Sequence, residues 1–333
     1  MAKSSKQPKV AYIVVAWNNK DIIDECLDAL KAQTYANTAI YLIDNASADG
    51  TADHVRKKYP EVLLTASDAN NGFAKGNNIL IKEALKDAEV GYVALINSDA
   101  VLDKDWTKEL VDYLHDKTNV AAAQGITLDY YNHSVVDAEH VYIRKDLQAV
   151  QHNYGHQFER SQAHPRRVFG VNAAAAMYSR DFIEEQQDMT LFDEKFFMYL
   201  EDVDVSFRAI ATGWDNYFVP TARAYHMGSV SAKKRSTTFN IQMTLRNQPA
   251  LMFKNMPLRT FIALLPSALR FEKHFYRYIA QKHGKDDAKK AIKSRFVGLG
   301  RLPLYVGGML WVHRHRKRSW QEIERIIRND GIV

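Results

Sequence analysis

The first hundred residues alternate between short apolar runs and amphipathic segments, and that alternation restricts the fold more than any other feature. Residues 10–16, 39–43, 62–65 and 92–96 read as short buried strands, each bounded by polar residues. Between them, 21–33 carries Ile22, Ile23, Cys26, Leu27 and Leu30 on one helical face. Residues 51–58 read as a helix stopped at Tyr59-Pro60, and 73–85 as a helix entered through Asn70-Asn71-Gly72. Strands and helices in that order predict an α/β fold, a Rossmann-like and mostly parallel sheet flanked by helices. Ligands bind such sheets beyond the carboxyl ends of the strands. Three polar clusters fall there: Trp17-Asn18-Asn19, Asp44-Asn45-Ala46-Ser47 and Asn97-Ser98-Asp99. Together they predict a pocket along one sheet edge.

Further along, 168–178 is apolar and small and reads as one central strand. Residues 196–211 phase as a helix from Tyr199, which groups Glu201, Asp202 and Asp204. Two short strands, 217–219 and 222–225, precede His226. Residues 129–165 read as a long substrate-shaping loop. Its histidines, His133, His140, His152 and His156, fit no common metal spacing and read as surface or loop residues.

The net charge of +6 conceals an asymmetry. From Val230 onward there are 22 lysines and arginines against 6 acids; the preceding residues hold 23 against 33. Two regions are expected, 1–229 and a mainly helical, basic 230–333, with the boundary near Lys233-Lys234-Arg235. In the basic region 257–271 and 296–312 are apolar, and His313-Arg314-His315-Arg316-Lys317-Arg318 follows the second. Arg301 and Pro303 leave that segment short of a membrane span. An amphipathic surface on an anionic membrane is the expectation. The single cysteine, Cys26, excludes an intrachain disulfide and reads as a small buried thiol. The polar, basic start of the chain shows no secretion signal. A cytoplasmic protein, peripheral on the inner face of the plasma membrane, is expected.

Taken singly, Asp99 also reads as a turn cap, Glu201, Asp202 and Asp204 as a solvated helix face and His226 as a structural side chain; together they offer a candidate for each role in sugar transfer from a nucleotide diphosphate. The diphosphate leaving group needs its charge neutralised, which a divalent cation on oxygen ligands does well. The acceptor hydroxyl needs a base. Asp99, just past a strand, suits a metal–diphosphate, and His226 can offer a ring nitrogen. Glu201, Asp202 and Asp204 offer carboxylates, and Asp44 can accept a hydrogen bond from a pyrimidine N–H.

The same stretches resemble, in order, the motifs of family 2 glycosyltransferases of GT-A fold, in their bacterial rhamnosyltransferase-like branch. The matching segments are Val14-Val15-Ala16-Trp17-Asn18, Ile43-Asp44-Asn45-Ala46-Ser47-Ala48-Asp49-Gly50, Asn70-Asn71-Gly72-Phe73-Ala74-Lys75-Gly76-Asn77-Asn78 and Asn97-Ser98-Asp99-Ala100. They continue with Phe192-Asp193-Glu194-Lys195-Phe196-Phe197-Met198-Tyr199-Leu200-Glu201-Asp202-Val203-Asp204, then 220–229 with His226. The resemblance covers about residues 9–255, since Arg246-Asn247 also fits. It implies single-step transfer with inversion, Asp202 as catalytic base and Glu201 as the second candidate. It implies Mn2+ or Mg2+ on Asp99 and His226. Donor contacts are implied at Ala16, Trp17, Asn18, Asp44, Asn45, Ser47, Gly72, Phe73, Lys75, Asn77, Asn97 and Ser98, with Asp44 on the base. The donor would be a dTDP- or UDP-linked sugar, rhamnose first, and the acceptor a lipid-linked glycan of cell-surface polysaccharide synthesis. Asn97 stands where a DxD element has its first acid, which leaves the metal fewer protein oxygens.

Two other readings fit less well. A nucleotidyltransferase on a similar scaffold would show a Gly-rich basic loop where this chain has Trp17-Asn18-Asn19. A non-catalytic protein using the basic region on membrane or nucleic acid would leave the Asp44 and Asp99 turns and the acidic cluster without a role. No nucleic-acid partner is expected.

Overall fold

A computed structural model describes residues 7–159, 164–228 and 237–329. Four parallel strands open the chain: β1 (Lys9–Ala16), β2 (Thr38–Asp44), β3 (Leu63–Ala66) and β4 (Val90–Asn97). Helices α1 (Ile23–Lys31), α2 (Thr51–Lys58) and α3 (Gly72–Ala84) join them. α1 shows why these crossovers dock. Ile23, Cys26, Leu27 and Leu30 fall on one face and are buried. Ala16 stands opposite Asp44 and Val15 opposite Asn97, so β1, β2 and β4 end level along one edge.

The chain continues through β5 (Ala100–Leu102), α4 (Trp106–Leu114), β6 (Val120–Asp129), β7 (Val136–Ala138), β8 (Val141–Ile143), β9 (Ala149–Gln151), β10 (Arg166–Val168), β11 (Ala175–Ser179), α5 (Arg180–Glu184), α6 (Glu201–Ala211) and β12 (Asp215–His226), whose strands other than β8 and β9 complete the sheet. The strand order is β3-β2-β1-β4-β11-β6-β12-β10. β11 runs antiparallel between β4 and β6, and β12 runs parallel to β6. The result is the expected large, mostly parallel α/β sheet.

Several expectations need correction. Residues 168–178 are not one strand; β10 and β11 are separated by 169–174. There the backbone N–H of Asn172 donates to Gln124 and that of Ala174 to the Asn172 side chain, so these groups leave the ladder. Residues 215–226 are conversely one strand, with its register against β6 shifting between Val219 and Arg223. Pro220 sits in that irregularity, where a missing N–H is tolerated. Gly125 on β6 permits the close approach, since a Cβ there would lie 1.9 Å from the Ala222 carbonyl oxygen. The 129–165 loop contains β7, β8 and β9, with β8 and β9 paired as a small sheet of their own. The 196–211 helix begins at Glu201, because Tyr199 and Leu200 are left-handed (φ 69° and 71°).

The C-terminal region is helical: α7 (Thr237–Asn255), α8 (Leu258–His283), α9 (Lys285–Gly300), α10 (Val306–His315) and α11 (Trp320–Arg328). Residues 296–312 are not one apolar segment; they end α9, pass through a 3-10 turn at Leu302–Tyr305 and enter α10. Lys233-Lys234-Arg235, the expected boundary, lies outside the described residues. On either side of it the cores merge. Phe196, Val203, Phe207 and Ile210 pack in one cluster with Leu251, Met252, Tyr305 and Val312. No helix among the described residues is long and apolar enough to cross a membrane.

Candidate active site

The turns after β1, β2 and β4 are tied to one another before they meet any ligand. Asn18 is left-handed (φ 53°), donates its N–H to Ser47 Oγ and accepts from the Ala48 N–H, at 2.8 Å each. Buried Asn19 accepts from the Trp17 N–H at 2.8 Å and from Ser98 Oγ at 3.1 Å. The Asn45 N–H donates to the Ala16 carbonyl, and Asn45 Nδ2 to the Gly72 carbonyl. Asp44 accepts from the Ser47 N–H through Oδ2, while its buried Oδ1 has no hydrogen-bond partner among the described residues. Gly72 is required where α3 begins. Its φ is +73°, and a Cβ would lie 2.4 Å from the Phe197 ring.

These turns form one wall of a cleft of about 400 Å3; the start of α6 forms another. Trp17, Asn45, Gly72, Phe73, Asn97, Ser98, Asp99, Glu201, Asp202 and His226 all line it. Other expected donor residues stand elsewhere. Ala16, Asn18, Asp44 and Ser47 lie behind the wall as its supports. Lys75 is exposed on α3, and Asn77 turns back to the Phe73 carbonyl within that helix. Neither lines the cleft.

The acidic wall depends on an improbable backbone. Phe197, Tyr199 and Leu200 all have positive φ (66°, 69° and 71°), each costing about 1 kcal/mol or more. Asn247 of α7 holds them: its buried Nδ2 lies 2.9 Å from the carbonyls of Phe196, Met198 and Tyr199. Arg246 Nη2 reaches the Phe196 carbonyl at 2.9 Å. Behind α6, Lys254 Nζ pairs with Asp193 and Asp204 at 2.9 Å, and Arg208 Nε with Asp204 at 3.0 Å. α6 is buried nearly all round, and this network satisfies the charges it carries inward.

At the head of α6, burial pushes the Glu201 carboxyl well above the usual carboxylate range, with Asp202 and Asp204 adding to it. Burial raises Asp202 to about 6, held back from going higher by the N–H groups of Val203 and Ala173. Asp202 Oδ1 accepts from the Val203 N–H at 2.8 Å, which leaves the carboxylate fixed and facing the cleft. Such a group is ionised at neutral pH yet more basic than an ordinary aspartate.

Opposite lies a carboxylate–imidazole pair. His226 Nε2 is 3.1 Å from Asp99 Oδ1, and its Nδ1 is 2.9 Å from Asp137 Oδ2. Burial lowers the imidazole pKa, but the hydrogen bonds to Asp137 and Asp99 outweigh it and raise the ring to about 10. A carboxylate oxygen and a ring nitrogen converge here, with the far nitrogen anchored by a second carboxylate. That donor set fits a divalent cation, which would replace the ring proton. Asp137 and Asn247 are absent from the motif-based set of site residues. Arg246-Asn247 gave a signal through the resemblance; Asp137 gave none.

The histidines need one correction. His133 and His156 are exposed, but His140 is fully buried and stacks on His152 with ring centroids 4.6 Å apart. Glu139, His140 and His152 bring potential ligand atoms within 4.8 Å of one another. Glu139 also accepts from Arg166 and from Asn153 Nδ2. Burial opposes its ionisation, yet the His152 hydrogen bond and the Arg166 charge hold it down at about 2. A cation there would have to compete with Arg166, so the cluster reads as a closed ion pair.

Known proteins bear on this geometry. The profile described as "Glycosyltransferase like family 2" matches residues 8–249. An N-acetylglucosaminyl-diphospho-decaprenol L-rhamnosyltransferase of Mycobacterium tuberculosis is 26% identical over 231 residues, 64% of this chain and 74% of that protein. Among solved structures, a mannosyltransferase of Pyrobaculum calidifontis in complex with GDP-Man and Mn2+ superposes with a TM-score of 0.53 at 17% identity. That match covers 93% of this chain and 85% of that one. S. aureus TarS 1-349 superposes at 0.52 and 15% identity, over 96% and 91%. At these identities the structural likenesses establish the fold alone.

Proposed function

Because the chain belongs to the family 2 glycosyltransferases, we propose that it moves a sugar from a nucleotide diphosphate to an acceptor hydroxyl in one inverting step, with Asp202 as base. The observation that carries the reading is the cleft with two chemically distinct walls, Asp202 on one and the Asp99–His226 pair on the other. Asp202 takes the hydroxyl proton as the new C–O bond forms and the bond to the diphosphate oxygen breaks. Glu201, pushed toward its neutral form, keeps a second negative charge away from that carboxylate. Mn2+ or Mg2+ held by Asp99 and His226 would neutralise charge on the departing diphosphate. The base-binding role that the resemblance gives Asp44, which requires the turn over its buried, unpartnered Oδ1 to open toward the cleft, favours dTDP or UDP.

The mycobacterial relative, an L-rhamnosyltransferase named for N-acetylglucosaminyl-diphospho-decaprenol, supports rhamnose as the sugar and a diphospho-polyprenol-linked glycan as the acceptor, in cell-surface polysaccharide synthesis. Such an acceptor places the enzyme at the inner face of the plasma membrane, peripheral and cytoplasmic. Calorimetric titration with dTDP, UDP and GDP, each with and without Mn2+ or Mg2+, tests the reading. The expected result is binding of one pyrimidine diphosphate, strengthened by metal and lost in Asp99→Ala. Absence of nucleotide binding under every condition would refute it.

A further inference from the structure

Eleven of the fifteen large apolar side chains left exposed among the described residues lie between Leu258 and Leu310, about a sixth of the described chain. They are ordered. On α8, Leu258, Ile262 and Leu269 fall within about 40° of one another at 3.6 residues per turn. Leu258 is 73% exposed, while the buried Thr260, Ala268 and Ile279 lie on another face. Arg259, Arg270, Lys273 and Arg277 occupy the adjoining strip. α9 repeats the pattern: Ile292, Phe296 (67% exposed) and Leu299 form a stripe beside Lys289 and Lys293, and Ala288, Ala291 and Gly298 face inward. On α10, Val306 and Leu310 share one side with His313 and Arg314 beyond them.

We propose that these apolar stripes with their basic margins are a docking surface that lays the protein on an anionic lipid bilayer. It rests on the proposed function only in that a lipid-linked acceptor lies at such a surface. Apolar faces buried shallowly with lysine and arginine beside them are the pattern of in-plane membrane helices. The helices lie on the bilayer rather than across it, as no described helix is long and apolar enough to span. A second copy of the chain does not fit the same surface. The region from Val230 holds 22 basic and 6 acidic residues and would face its own charge.

Vesicle co-sedimentation of the full chain tests this, comparing phosphatidylglycerol–phosphatidylcholine vesicles with phosphatidylcholine alone. The protein is expected on the anionic vesicles and not on the neutral ones. Reversing charge in Lys273→Glu/Arg277→Glu/Lys293→Glu should weaken partitioning by about 100-fold or more, at about fivefold per basic residue. Phe296→Ser/Leu299→Ser/Leu310→Ser should lose at least about tenfold. Both variants change only exposed side chains and should keep transfer to a short, water-soluble acceptor. A wild-type chain that transfers sugar yet ignores anionic vesicles overturns the docking surface and spares the proposed function. So does a stripe variant that turns a dimer into a monomer with no vesicle binding in either form. Vesicle binding without any nucleotide binding does the reverse.

Discussion

Replacing Asn247 by alanine removes one buried amide nitrogen that faces three carbonyls. The amide has two hydrogens, so one is shared. The Phe196 carbonyl keeps Arg246, but those of Met198 and Tyr199 lose this donor, at about 1–2 kcal/mol each, or about 2–4 kcal/mol in total. The three left-handed residues it secures, Phe197, Tyr199 and Leu200, store a comparable strain. Released, the segment can relax locally, and Asp202 begins the very next turn of chain. A shift of about 1 Å in a reacting group costs about 100-fold in rate. Asn247→Ala should therefore lower unfolding free energy in urea by about 2–4 kcal/mol and kcat by about 100-fold. The dissociation constant for the nucleotide diphosphate should stay within about threefold, since the β-strand turns are untouched. Wild-type kcat together with a loss below about 0.5 kcal/mol would refute the reasoning.

Other outcomes follow from the cleft. Asp202→Asn should abolish transfer while calorimetry shows unchanged nucleotide diphosphate affinity; turnover like wild type removes Asp202 from the base role. With Asp202 raised to about 6, kcat/KM should fall about tenfold per pH unit below that value, measurable as an acid limb that a pH-independent profile would contradict. The same shift has a stability sign. The folded state holds this proton to higher pH than the unfolded chain, so Asp202 destabilises progressively as pH rises from about 4 to about 6. Asp202→Asn should then be more stable than wild type at pH 7, by about 3 kcal/mol, in urea unfolding; equal or lower stability there counts against the shift.

The sheet was legible because its signals are local. Each early strand is an uninterrupted apolar run, and Tyr59-Pro60 stops α2 where composition says it should. Reading failed where backbone hydrogen bonds leave the ladder for side chains, as at Asn172, and where alanine-rich stretches carry no period. β12 looked broken because Pro220 interrupts it, and only Gly125 on the neighbouring strand explains how pairing resumes. The turn clusters announced a pocket, but not which members face it: the Ser47 hydroxyl accepts from the Asn18 N–H, and the Asn18 side-chain oxygen from the Ala48 N–H. Asp137 and Asn247 act on partners 89 and 48–51 residues away, a distance no motif spans.

The shared core around α6 also has a consequence for how the chain is made. A ribosome completes the turns at Asp44 and Asp99 long before it reaches Asn247 and Lys254, which fix the segment leading to Asp202. At about 5–20 residues per second the interval from Asp99 to Lys254 is about 10–30 s. During that interval the nascent protein has its strand turns but no means of holding the base helix. The helix that holds the acidic wall, α7, comes after every strand of the sheet, so a chain stopped before Asn247 has its strand turns but only part of its cleft in place.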